Sequence, residues 1–209
     1  TNKYMEGWNG SAIIAPYPHS DHIPADMTEE QYSDYCLHYL EHHIPKYIVA
    51  KDNIAAIMVE PGLAEGGNWI PNKAFIQGIR DICDRNDWLM IADEVLTGLG
   101  RTTKMWAIEH YDVVPDILVM GKNLSGGIEA CAGVSAKDDI LGNNPDFSAN
   151  STFAGTPAGC AAALKTLEIF ERDNILEQAT ILAEIAKDVM GSWESKYEIV
   201  RQVRLSGLL

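Results

Sequence analysis

Basic side chains and long apolar runs are both scarce in this chain. Its 209 residues contain 16 Lys and Arg against 30 Asp and Glu, giving a formal net charge of −14. Such a surface repels phosphate backbones, which argues against a nucleic-acid partner. No apolar run reaches the ~18 residues of a transmembrane helix, so no membrane association is expected. The first residues carry no signal peptide, and the start on Thr1 predicts that the chain begins inside a larger protein.

Cysteine is sparse, and its spacing fits no metal site. Cys36, Cys83, Cys131 and Cys160 lie far apart in apolar or helical contexts, as expected for reduced core residues of a cytoplasmic protein. His38 and His42 are one helical turn apart and could bind a metal. No nearby Cys or carboxylate completes such a site, so no metal centre is predicted.

A phosphate-binding loop is missing as well. The apolar stretch that ends at Asp93 and Glu94 resembles the metal-binding strand of nucleotide hydrolases. That chemistry also requires the pattern GxxxxGK[ST], which the sequence lacks. Nucleotide hydrolysis is therefore excluded for this chain.

The sequence does contain strands and helices in alternation. Continuous apolar runs at residues 54–59, 88–93 and 116–121 are typical of strands covered on both faces. Between the first two runs, one helical face carries the apolar residues Phe75, Ile76, Ile79, Ile82 and Cys83. This order predicts a right-handed parallel crossover and hence an α/β fold.

Further helices and strands are expected on either side of these runs. Capping-box spacing at residues 28–31 predicts a helix to about residue 44. Helices are also predicted at 160–172 and 175–196, and strands at 132–136 and 198–209. A shift from mixed elements to long helices predicts a domain border near residue 172.

Asp93 and Lys122 each end an apolar strand, at the sheet edge where α/β proteins bind ligands. Partial burial lowers the pKa of a lysine, and a neutral amine can form a Schiff base. A pyridoxal phosphate enzyme needs such a lysine together with a carboxylate that keeps the pyridine nitrogen protonated. A lysine that extends past the strand end into solvent explains the pattern equally well.

The stretch from Ile54 to Ile175 resembles the large domain of class III pyridoxal phosphate-dependent aminotransferases. The similar segments, which match in order and spacing, are residues 57–61, 65–67, 89–95, 97–102, 113–117, Lys122 with Gly126 and Gly127, and 151–153. The resemblance implies a three-layer α/β/α domain of fold type I with a mainly parallel mixed sheet. Residues 1–172 would form this large domain, incomplete at its N-terminus. Residues 173–209 would form a linking helix and the first strand of a truncated α+β small domain.

The resemblance also implies a role for each matching residue. Lys122 would form the Schiff base with pyridoxal 5′-phosphate and move the substrate proton, and Asp93 would bind the pyridine nitrogen. Val95 would pack against the ring. Thr152 would bind the cofactor phosphate of the other subunit, which implies a homodimer with shared active sites. Ser151 would also bind the cofactor. Glu65 would help to switch between substrates, and Glu60 would line the pocket.

The implied reaction moves an amino group from an amine or amino acid to a 2-oxo acid by a ping-pong route. Leu96 replaces a glutamine found in many members, which favours pyruvate over 2-oxoglutarate as acceptor. Two alternatives remain open. The first is a racemase, epimerase or decarboxylase with the same cofactor, and the second is a catalytically incompetent fragment.

Overall fold

A four-stranded mixed sheet forms the centre of the computed structural model, which describes residues 12–142, 152 and 154–209. The strands are β1 (Ala56–Val59), β2 (Leu89–Asp93), β3 (Ile117–Met120) and β4 (Gly133–Ala136). They lie side by side in chain order, with β1, β2 and β3 parallel and β4 antiparallel to β3. The predicted α/β class and mainly parallel mixed sheet are confirmed.

Helix α1 (Glu29–His38) begins at the predicted capping box. The Gln31 backbone N–H donates to Thr28 Oγ1, while the Thr28 backbone N–H donates to the Gln31 side chain. These reciprocal bonds satisfy two of the free donors of the first turn. The helix continues through a π-helical segment (Tyr39–His43) into α2 (Ile44–Tyr47).

The predicted crossover between the first two strands is helix α3 (Lys73–Asn86). Its N-cap is Asn72, whose side chain accepts a hydrogen bond from the Phe75 backbone N–H. The helix ends at Asp87, which adopts the left-handed conformation that favours a turn. Its buried face consists of the five apolar residues expected from the sequence: Phe75, Ile76, Ile79, Ile82 and Cys83.

The core lies between α1, α3 and one face of the sheet. Strand residues Val59, Met90 and Ala92 pack there with the buried face of α3. Side chains alternate across a strand, so Asp93 lies on the opposite face from Ala92. On that face Met58 is 57% exposed and Val134 is 54% exposed.

The second half of the chain is mainly helical. A short helix α4 (Asp138–Leu141) precedes α5 (Pro157–Arg172), α6 (Ile175–Met190) and α7 (Trp193–Lys196). Helix α5 has Pro157 at its first position, and the Gly159 backbone N–H donates to Thr156 Oγ1. It packs against the segment that follows β3, because Gly126 lies next to Thr166.

Two sequence predictions for this half need correction. Residues 198–209 form turns and irregular structure rather than a strand. There the backbone N–H of Leu208 bonds the carbonyl of Arg101, and that of Ser206 bonds Leu209, so the ladder of a neighbouring strand is absent from this described segment. The helix predicted over 175–196 is interrupted after Met190, where Gly191 ends α6 before α7 begins. The division of the chain at residue 172 stays a prediction.

The cysteines are free thiols in three different environments. Cys36 and Cys83 are buried in the core, Cys131 is half-buried and Cys160 is exposed on α5. The expectation that all four are core residues is therefore wrong for Cys160.

Within the described ranges, no helix combines the length and apolar character needed to cross a bilayer.

Candidate functional site

Two neighbouring strand ends bring Asp93 and Lys122 to one edge of the sheet. Asp93 is the last residue of β2 and pairs in register with Val119 of β3. The parallel ladder continues for one more residue, since the Glu94 backbone N–H donates to the Val119 carbonyl at 2.9 Å. Lys122 follows two residues after the end of β3. The strands therefore deliver an acid and an amine to the same end, as the sequence predicted.

Lys122 sits in a strained and accessible part of the backbone. Its φ of 44° lies in the left-handed region, which is uncommon for a residue with a side chain. It starts a 3₁₀ turn, Lys122–Ser125, and its side chain is exposed. Ser125 is fully buried at the end of this turn, where its hydroxyl donates to the Glu129 carbonyl. The turn thus anchors the chain below the lysine and leaves the amine free to reach a ligand.

Asp93 is held in place by the turn that follows it. The Val95 backbone N–H donates to Asp93 Oδ1 at 3.0 Å. Within the described part of the chain, the second carboxylate oxygen accepts no hydrogen bond. The Asp93 side chain is half-buried. One oxygen therefore fixes the orientation of the carboxylate, and the other can accept a bond from a ligand.

Val95 lies against the backbone that leads to Lys122. A Cβ atom placed on Gly121 would lie 3.4 Å from Val95 Cγ1. The valine methyl groups therefore pack beside the strand end from which the lysine projects. This provides an apolar surface next to Lys122.

Glu60 belongs to the same group of charges. Its Oε2 accepts the Ala64 backbone N–H at 3.0 Å, and its carbonyl accepts the Tyr17 hydroxyl at 3.1 Å. Partial burial is the largest influence on the Glu60 carboxyl and raises its pKa. The charges of Asp93 and Glu65 raise that pKa further, whereas Lys122 and the Ala64 N–H lower it. Asp93, Glu65 and Lys122 therefore each lie close enough to Glu60 to influence its charge.

Glu65 lies in an exposed loop next to this cluster. The loop is closed at its base by reciprocal backbone bonds between Leu63 and Trp69, of 2.8 and 3.2 Å. Gly67 and Asn68 both have positive φ, which allows the chain to reverse. Glu65 is therefore carried at the tip of a short hairpin-like loop.

The predicted cofactor contacts of Ser151 and Thr152 are described only in part. Ser151 lies outside the described residues. Thr152 is exposed and makes no hydrogen bond within the described part of the chain. Their assignment to the cofactor stays a prediction.

The acid next to Asp93 has a different task that the sequence reasoning missed. Glu94 is buried; its carboxylate accepts the Thr97 hydroxyl at 2.5 Å and the Ile108 backbone N–H at 2.7 Å. Burial raises its pKa, and the two hydrogen bonds oppose that increase. It connects the turn after β2 to the 3₁₀ segment Ala107–Tyr111, on the opposite face of the sheet from Asp93. Because consecutive side chains of a strand point to opposite faces, the sequence alone could have assigned the two acids to different faces of the sheet.

Asp116, at the start of β3, was also missed. It accepts hydrogen bonds from the Met90 backbone N–H, Arg80 and Lys137, and so joins β2, β3 and α3. Its pKa is lowered, because these bonds outweigh the effect of burial. Its position directly before an apolar run was the available signal.

A cavity of about 240 Å³ is lined by neither Asp93 nor Lys122. It is lined by Pro61, Gly62, Ile70, Thr97, Thr102, Ala107, His110, Tyr111 and Ser206. Tyr111 donates its hydroxyl to the Pro61 carbonyl there at 2.6 Å. This cavity therefore lies between packed loops, and it is not the candidate site.

The strand-end arrangement fits the ring end of pyridoxal phosphate. An electron-accepting pyridine needs a carboxylate at its nitrogen, an amine near its aldehyde and an apolar surface against its ring. Asp93 has an oxygen without a hydrogen-bond partner in the described structure, Lys122 is exposed, and Val95 packs against the glycine before Lys122. The Glu60 carboxylate interacts electrostatically with both Asp93 and Lys122 and is a further group for contact with a substrate.

Comparison with known proteins identifies the family. The family model of class III aminotransferases matches residues 1–209. A probable 4-aminobutyrate aminotransferase of Bacillus subtilis is 33% identical over 93% of this chain and 44% of its own length. Ornithine aminotransferase of Rattus norvegicus is 38% identical over 75% of this chain and 35% of its own length. The chain spans less than half the length of these curated relatives.

Solved structures agree with these relatives. A transaminase from a study of directed evolution by ancestral reconstruction has a TM-score of 0.82 and 30% identity, covering 92% of this chain and 43% of its own. Ornithine aminotransferase of Plasmodium yoelii has a TM-score of 0.76 and 35% identity, covering 85% of this chain and 46% of its own. The predicted fold class and family are confirmed: the chain belongs to the class III aminotransferases, which use pyridoxal phosphate.

Proposed function

We propose that the protein containing this chain is a transaminase that moves an amino group from an amine or amino acid to a 2-oxo acid. The observation that carries the proposal is the pairing of β2 with β3, which brings Asp93 beside Val119 and Lys122 to the same sheet edge. Val95 packs against Gly121, directly before Lys122. Family membership supports the same reaction.

In this proposal there is a chemical task for each of the three residues at the strand ends: Lys122, Asp93 and Val95. When bound, pyridoxal phosphate supplies an electron sink and carries the amino group between the two substrates. Lys122 holds the cofactor through Nζ and moves a proton to and from the substrate carbon. The free oxygen of Asp93 accepts the pyridine N–H and keeps that nitrogen protonated. Val95 excludes water from one face of the ring.

The acids around Lys122 suit the substrate side of the site. Glu60 is half-buried with a raised pKa, whereas Glu65 is exposed on its loop. We assign Glu65 to substrate switching, because its exposed side chain can turn between two partners. Thr152 is assigned to the cofactor phosphate of the other subunit in a homodimer, and Ser151 to the cofactor. The proposed location is the cytoplasm, as the free cysteines suggest.

The names of the relatives narrow the chemical class of the amino donor. They include proteins named for 4-aminobutyrate, 5-aminovalerate and ornithine. All three compounds carry a primary amine at the end of a carbon chain. We therefore propose a donor of this kind and, from Leu96, pyruvate as acceptor.

The function is tested on the full-length protein. Purified enzyme with pyridoxal phosphate is offered a panel of terminal amines and α-amino acids with pyruvate or 2-oxoglutarate. New keto and amino products identify a transaminase, whereas loss of chirality without exchange identifies a racemase and refutes the proposal. Borohydride reduction followed by peptide mapping should attach the cofactor to Lys122. Lys122→Ala should abolish this label, while Lys137→Ala serves as the matched control, since Lys137 pairs with Asp116 away from the site.

A further inference from the structure

The loop that carries Glu65 is held from two sides by different groups. On one side, Glu60 Oε2 accepts the Ala64 backbone N–H at 3.0 Å. On the other side, the carbonyls of the two glycines after Glu65 accept side-chain donors. Trp69 Nε1 donates to the Gly66 carbonyl at 3.0 Å, and Arg204 Nε donates to the Gly67 carbonyl at 2.8 Å.

The two donors are themselves packed together. The Arg204 guanidinium carbon lies 3.9 Å from the centre of the Trp69 ring. Trp69 is 6% exposed and also stacks with His19, with ring centres 4.8 Å apart. A planar guanidinium can stack on a ring and donate in its own plane at the same time, which an ammonium group cannot do. The contact therefore requires arginine in particular.

Arg204 contacts the loop from far along the sequence. It lies in the irregular segment after α7, where the Val203 backbone N–H donates to Glu194 at 2.6 Å. Among the described residues, no acidic side chain forms an ion pair with Arg204. Its guanidinium donates to the Gly67 carbonyl and to Gln202 Oε1, and it stacks on the Trp69 ring. By contrast, Arg201 is 84% exposed and pairs with Asp21 at the surface.

We propose that Arg204, stacked on Trp69, is a positioning residue: the two side chains hold the Gly67 and Gly66 carbonyls and thereby fix the place of Glu65 near Glu60. This inference rests on the proposed function for the role of Glu65. It links the segment after α7 to the substrate side of the site. Arg204 itself acts through the loop and needs no contact with substrate.

The structural part of the proposal is tested by amide hydrogen exchange on the full-length protein. Arg204→Lys should speed exchange at residues 64–68 by about tenfold or more, because a charge-assisted bond and the stacking are lost together. Arg201→Lys is the matched control and should leave these amides unchanged within about twofold. Unchanged exchange in Arg204→Lys would overturn the proposal. This readout needs no catalytic activity, so it separates failure of the loop contact from failure of the proposed function.

The functional part is tested by a double-mutant cycle with Glu65→Gln. If Arg204 acts by positioning Glu65, Arg204→Lys should lower kcat/KM for one of the two substrates by about tenfold in the wild type. It should have little further effect in Glu65→Gln, because neighbouring residues that act together are non-additive. Fully additive losses, or equal losses for both substrates, would indicate a general structural role and overturn the proposal. A wild-type enzyme without transaminase activity would refute the proposed function and leave the exchange result to decide the loop contact.

Discussion

Replacing Asp116 should destabilise the sheet that supports the site. The Asp116 carboxylate accepts the Met90 backbone N–H at 2.9 Å, Arg80 at 2.7 Å and Lys137 at 3.2 Å. Met90 is fully buried, and the Arg80 side chain is 17% exposed. Lys137 is 64% exposed. One carboxylate therefore has two enclosed partners and one solvated partner, whose contributions can be compared directly.

The expected loss follows from the partners left behind. Asp116→Ala leaves a buried N–H without an acceptor, which costs about 1–3 kcal/mol. It also removes a charged hydrogen bond from Arg80, worth about 1.5–3 kcal/mol. Arg80 keeps Asp84 as a second ion-pair partner at 2.7 Å, which offsets part of this loss. We expect the free energy of unfolding to fall by about 3 kcal/mol.

Two further variants separate the contributions. Asp116→Asn keeps an oxygen for the Met90 N–H and should cost about half as much as the alanine variant. Lys137→Gln removes an exposed partner and should change stability by less than about 0.5 kcal/mol. Urea unfolding at pH 7, followed by circular dichroism, measures all three. A loss in Lys137→Gln equal to that in Asp116→Ala, or a negligible loss in the latter, would refute this reasoning.

The Asp116 carboxylate also makes the free energy of unfolding depend on pH, with stability falling in acid. The pKa of Asp116 is lowered from its ordinary value of 3.8 in the folded protein. The unfolded chain therefore binds the proton more readily, and the stabilisation is present above pH 3.8. It is lost as the pH falls from that value towards the lowered pKa. The stability difference between wild type and Asp116→Asn should shrink over this acidic range.

Three other predictions concern the site and the thiols. Asp93→Asn should lower the transamination rate by about 10²-fold or more, with the circular dichroism spectrum unchanged, because the neutral amide no longer stabilises a protonated pyridine. Leu96→Gln should leave the acceptor preference unchanged or move it toward 2-oxoglutarate; a stronger pyruvate preference, measured as relative kcat/KM, would contradict the role given to Leu96. Iodoacetamide at pH 8 should label Cys160 first, since burial raises the pKa values of Cys36 and Cys83 to about 11; mass spectrometry of the labelled peptides measures the order.

The elements that follow from local patterns were predictable. A capping box and a continuous helical face were sufficient for α1 and α3, as Thr28 and Phe75 illustrate. The apolar runs ending at Asp93 and Lys122 predicted two neighbouring strand ends, because parallel strands separated by a crossover finish at one sheet edge. These predictions depend on residues close in sequence or on one topological rule.

The contacts between distant segments were not predictable in the same way. Glu94 looked equivalent to Asp93, yet its carboxylate is committed to Ile108 and Thr97. Residues 198–209 were expected to form a strand, yet they pair with none of the four described strands. Periodicity indicates that a segment can be extended, while pairing depends on which edges are available.

Arg204 is an example of a contact between distant segments that bears on function. Its segment pairs with none of the described strands, and the side chain rather than the backbone makes the long-range contact, to Gly67 and Trp69. A side-chain contact constrains a few carbonyls and leaves the rest of the loop free, whereas strand pairing would fix every residue. Glu65 must alternate between two kinds of substrate in the proposed reaction, so its loop requires a defined position without rigid pairing. The irregular backbone around Arg204 is therefore compatible with the function proposed for Glu65.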